Sequence, residues 1–155
     1  TVSNIFFDIS SLQPVITSPV SYSTINTAHS RFNFTLHEAA SSQGIFLSFS
    51  HLDGPSDPYS PHVVTIFPNN VGRYDMVKYS VQLDLTDFMA NLAVVSNYTR
   101  NGVKSSTVGL VDHAKYLLQL HYYDADTHAS NYVQVHNITF DTLSGILVLS
   151  RLKYY

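Results

Sequence analysis

The chain contains no cysteine and no tryptophan. Without cysteine there is no disulfide framework, no thiolate metal site and no cysteine nucleophile. An oxidising compartment is therefore not required for folding, though nothing forbids one. Charge is scarce as well: 12 % of residues are charged, against about 25 % in ordinary soluble domains. The net charge is −3, and no stretch of five residues holds more than two Lys or Arg, so electrostatic capture of nucleic acid has no footing. No window approaches 18 consecutive apolar residues, and no membrane insertion is expected. The opening TVSNIFFDIS lacks the charged head and apolar core of a signal peptide. Six glycines occur without clustering, which leaves no phosphate-cradling loop.

What the chain has instead is length, hydroxyls and imidazoles. Its 155 residues fit a single domain, residues 1–155, and a domain of that size buries roughly 70 % of its unfolded surface. Solubility rests on Ser, Thr, Asn, Gln and Tyr. A surface poor in Lys and Glu but rich in Tyr has the composition of an interface. Eight histidines equal the eight Lys and Arg in number; protonating all of them would carry the net charge from −3 to +5. Unperturbed imidazole titrates near pH ~6.5, so stability or assembly is expected to change between about pH 5 and 7.

The dominant period is two. In SRFNFTLHE, Phe32, Phe34 and Leu36 alternate with polar residues; in KYSVQLDLTD, Tyr79, Val81, Leu83 and Leu85 do the same; in GIFLSFSHL, Ile45, Leu47 and Phe49. Alternation of that kind places one set of side chains on each face of a strand. Further strands are read at 4–9, 21–25, 62–67, 91–99, 116–123, 131–140 and 144–152. Asn101-Gly102 favours a type I′ hairpin, and GPSDPYSP (54–61), with three of the six prolines, is a stiff exposed loop. Two short helices are candidates, at 86–93 and 112–118. The expected fold is all-β: an antiparallel β-sandwich, jelly-roll-like, of about eight to ten strands, with an up-and-down barrel as the alternative.

Two stretches concentrate chemistry. In LHYYDADTHASNYVQVH (120–136) a hairpin turn would carry Asp124, Asp126 and His128 at its tip. Oxygen and imidazole donors at that spacing can converge on a divalent ion. His121 and His136, near-equidistant from the turn, would face one another across the strands. His121, Asp124, Asp126, His128 and His136 are thus weak metal candidates, weighed against an ordinary polar turn. In SHLDGPSDPYSPH (50–62), His51, Asp53, Asp57 and His62 flank a proline-stiffened loop with Tyr59 at its apex, suited to gripping a saccharide or a protein at little entropic cost. No G-x-S-x-G elbow and no H-E-x-x-H motif occurs, so no catalytic residue is assigned. Three N-x-S/T sequons, at Asn33, Asn97 and Asn137, would be glycan acceptors only in a eukaryotic secretory setting.

In composition alone the chain resembles the building blocks of virion capsids, spikes and fibre heads. The leading expectation is a non-enzymatic structural or receptor-binding domain, virion-borne or extracellular. It would self-associate as a homo-oligomer, a trimer among the candidates, and contact a cell-surface receptor or glycan. A soluble carbohydrate-binding module is the alternative, with Tyr59, Tyr122, Tyr123 or Tyr132 as stacking platform and Asp57, Asp124, Asp126 and His128 as hydroxyl partners. A metal-dependent hydrolase is the third reading. No cofactor is expected.

Overall fold

A computed structural model describes residues 13–68, 76–104, 109–125 and 130–142. The strands read at 4–9 and 144–152 lie outside these, as do Asp126 and His128. Ten strands form two sheets: β1 (Val15–Ser18), β2 (Thr24–Ile25), β3 (His29–Leu36), β4 (Ala40–Asp53), β5 (His62–Ile66), β6 (Val77–Asp84), β7 (Val95–Arg100), β8 (Val103–Lys104), β9 (Lys115–Asp124) and β10 (Ser130–Phe140). One sheet has the order β1-β3-β6, the other β2-β10-β9-β4-β5-β7-β8. Among the described residues every pairing is antiparallel except the two-residue contact of β10 with β2. The two-sheet sandwich expected from the sequence is present, and the described strands do not by themselves give a jelly-roll order.

The period-two segments behave as alternation dictates. Phe32, Phe34 and Leu36 of β3 and Tyr79, Val81 and Leu83 of β6 are buried and pack toward Ile45, Leu47 and Phe49 of β4. Phe32 and Phe49 meet edge to face across the two sheets, ring centroids 5.9 Å apart. β9, lying between β4 and β10, buries Tyr116, Leu118, Leu120 and Tyr122 at 0 % exposure. Its opposite face carries Leu117, Gln119, His121 and Tyr123, each half-buried.

No helix forms among the described residues. The segment 86–93 is a pair of turns instead. The Asp84 carboxylate accepts from the Thr86 and Asp87 amides at 2.9 and 3.3 Å, and the Asp87 side chain accepts from Met89 N–H. Short aspartates compete in this way for the donors a helix would use, and eight residues are too few to sustain a helix alone. The segment also delivers Phe88 into the core beside Phe49 and Tyr98. The other candidate, 112–118, is mostly the start of β9, whose consecutive apolar residues reflect a central strand rather than a helical stripe. The Asn101-Gly102 hairpin is as read: both residues have positive φ, 42° and 78°, and Thr99 pairs Lys104 across it.

Candidate ligand-binding face

The proline-rich loop is anchored from beneath. Asp57 turns inward, its side chain wholly buried with that of His62. His62 Nε2–H donates to Asp57 Oδ2 at 2.7 Å, and Tyr116 O–H donates to the same oxygen at 2.7 Å. Asp57 Oδ1 accepts from Tyr59 N–H at 3.1 Å. Tyr98 O–H closes the far side on His62 Nδ1 at 2.6 Å, and Val111 N–H donates to the Tyr116 oxygen at 2.8 Å. With Nε2 carrying the imidazole proton and Nδ1 accepting, each of these donors meets an acceptor, as buried polar groups require. Burial pushes the Asp57 carboxyl up, but the hydrogen bonds from His62, Tyr116 and the Tyr59 amide outweigh it and hold it below its ordinary 3.8. Burial, then the Asp57 charge, raises the Tyr98 phenol to about 12.

An aspartate–imidazole pair is the skeleton of a general base. Here it is sealed from water, and its hydroxyl partners are phenols held proton-in. The network fastens the loop; it has no access to a substrate. What the loop shows outside is Tyr59, 43 % exposed, with the Arg100 guanidinium 4.3 Å above its ring. His51 supports the loop from β4: its amide donates to Ser60 Oγ at 2.8 Å and its Nε2 meets Pro55 O at 2.9 Å. Gly54, at φ 85°, lets the loop pass His113, whose carbonyl oxygen would stand 2.7 Å from an added Cβ. Asp53 stands apart, exposed, 4.0 Å from Lys115.

The second sequence candidate divides between the two faces of the sheet. β9 and β10 do form a hairpin, Tyr123 opposite Ser130 and His121 opposite Tyr132. Tyr122 points into the core with its hydroxyl 3.4 Å from Glu38 Oε2, and Asp124 is buried on the same side. Neither is available to an external ligand. His136 does not meet His121: it sits in a bulge between Val135 and Ile138, where Asn137 has φ 54°. His121 and Asp124 face opposite ways, so the described members of the metal set do not converge. Among the described residues the group able to share an ion is a different one, Asp112, His113 and Asp141. There His113 pairs with both carboxylates, at 3.8 and 3.2 Å, and ties the start of β9 to the end of β10.

On the outer face of the seven-stranded sheet, Phe46, Ser48, Val63, Gln119, His121 and Tyr123 line an open concavity of about 290 Å³. Two other depressions are slightly larger, about 340 Å³ along 18–31 and about 330 Å³ beside β1. Lining, not size, separates them. Three rings gather here: Phe46 and His121 lie 5.5 Å apart at 32°, while Tyr123 stands at 88° to Phe46 and 70° to His121. They form a floor and a wall. No lining residue is formally charged, and burial holds the His121 pKa below its ordinary 6.5, favouring the neutral ring. Tyr132, 53 % exposed, pairs His121 across the sheet, and beyond it Gln134 Nε2 donates to Gln119 Oε1 at 3.1 Å. Of the residues picked from sequence, His121, Tyr123 and Tyr132 thus share one surface. Phe46, Val63, Gln119 and Gln134 were missed: Gln119 shares the period-two parity of His121 on β9, and Gln134 that of Tyr132 on β10, but Phe46 and Val63 join them only through the strand pairing.

No family model, no curated protein and no solved structure matches this chain.

Proposed function

We propose that the chain is a non-enzymatic recognition domain whose partner, a receptor or a glycan, seats on the outer face of the seven-stranded sheet. The observation that carries this is the concavity walled by Phe46, His121 and Tyr123. Aromatic rings fixed by a sheet supply contact area at little entropic cost. The chain's one fully buried aspartate–histidine pair among the described residues is spent inside the core, which supports recognition over bond-making. The setting that accompanies this reading is extracellular or virion-borne.

The test is a fragment screen followed by amide-resolved NMR. Fragments of mixed chemistry are expected to shift the amides of 46–48, 63 and 119–123, and Phe46→Ala with Tyr123→Ala to lose those shifts while keeping the wild-type spectrum elsewhere. Fragments that gather only at other depressions, or nowhere, defeat the proposal. Self-association is a second reading, favoured by ten large apolar residues that are at least 43 % exposed among the described residues. Light scattering at micromolar concentration is expected to show a closed oligomer, and a strict monomer refutes it.

A further inference from the structure

The concavity is not simply apolar, and its polar margin narrows the ligand. Gln119 and Gln134 face each other directly across β9 and β10 and are joined at 3.1 Å. An amide pair joined by one hydrogen bond keeps one free carbonyl oxygen and one further NH₂ donor, whichever way round the two amides are set. The margin therefore offers an acceptor and a donor side by side. Ser48 adds a hydroxyl, and Tyr123 a phenol, to the same lining.

We infer that the concavity seats the ring of a neutral saccharide. This rests on the recognition reading above. A pyranose presents a C–H face that packs on aromatic rings, and a rim of vicinal hydroxyls that each donate and accept. The floor of Phe46 and His121 with its Tyr123 wall matches the first, and the Gln119–Gln134 pair matches the second. An anionic ligand meets no cation here, since none of the lining residues is charged, and a buried unpaired charge is costly. A wholly apolar side chain would cover the glutamines and leave their remaining donor and acceptor unpaired, which is unfavourable. A volume of about 290 Å³ sits at the small end of ligand sites, fitting one ring. Tyr132, exposed beside His121, offers a platform for a second ring along the chain.

The experiment titrates ¹⁵N-labelled full chain with neutral mono- and disaccharides, and with an acidic sugar as control, to about 10 mM, the regime of a millimolar Kd. Shifts are expected at 46–48, 119–123 and 132–134, with the disaccharide binding more tightly than its monomer. Gln119→Ala with Gln134→Ala, a surface change that leaves the core intact, is expected to weaken binding tenfold or more. Tyr132→Ala is expected to erase the disaccharide's advantage alone. If fragments seat in the concavity and neutral sugars do not, the saccharide inference fails and the recognition reading stands. If neither seats, both fail. An acidic sugar binding more tightly than its neutral counterpart also overturns the inference.

Discussion

Removing the Asp57 carboxylate tests most sharply whether the buried network is an anchor. Asp57→Ala leaves His62 Nε2–H and the Tyr116 hydroxyl without their shared acceptor, both in a region closed to water. Each orphaned group costs about 1–3 kcal/mol, so the two together cost about 2–6 kcal/mol. Against a total stability of about 5–15 kcal/mol, that is a large fraction, and for a domain of this size it lowers Tm by about 10 °C. Urea denaturation at pH 7 measures it, and chymotrypsin cleavage at Tyr59 reports whether the loop has come free. The pH dependence supplies a second arm. The carboxyl of Asp57 is lowered in the folded state from 3.8, so its contribution is present above pH 3.8 and lost as pH falls through the folded value. The gap between wild type and Asp57→Ala therefore stays constant from neutral pH down to about 4 and narrows below 3.8. A loss under about 1 kcal/mol, or a gap that does not change on acidification, refutes the reasoning.

Other consequences are more local. His121 is held neutral by burial, its folded pKa below 6.5; stability should fall as pH drops below 6.5 while the unfolded chain takes up a proton that the folded one resists, and His121→Gln should flatten that slope in denaturation curves. Phe49→Ala, at the junction of Phe32 and Phe88, should cost about 3–5 kcal/mol by the same assay. Gly102→Ala meets no atom within 4 Å and should cost only the positive-φ penalty, about 1 kcal/mol. Gly54→Ala, facing the His113 carbonyl at 2.7 Å, should cost more than Gly102→Ala, and equal losses would contradict the close approach.

The strands were legible because burying one face of a sheet imposes alternation. Phe32, Phe34 and Leu36 declare their face without any partner in view, and Asn101-Gly102 declares its hairpin because few residues tolerate the backbone angles required. Orientation in the 120–136 stretch was not legible. Alternation says that Tyr122 and Tyr123 face opposite ways, but not which one faces the core; Leu118 and Leu120 settle that only once β9 is known to lie between β4 and β10. The register sets His121 against Tyr132, four residues short of His136 and before the bulge that follows Val135, so taking the two histidines as equidistant from the turn paired the wrong residues. The anchor under the loop joins Asp57 to Tyr116, 59 positions away, and long-range pairings of this kind leave no local pattern. Asp57 therefore read as a surface turn residue and proved to be wholly buried at its side chain. The helix expected at 86–93 failed because Asp84 and Asp87 take the amides it needed.

A crystal of the full chain soaked with a mixture of small fragments and sugars would locate recognition on the molecule directly. Density is expected in the concavity between Phe46, His121 and Tyr123, with Asp57 and His62 still closed on each other. A ligand found against His62, with the network opened to solvent around it, would contradict the account.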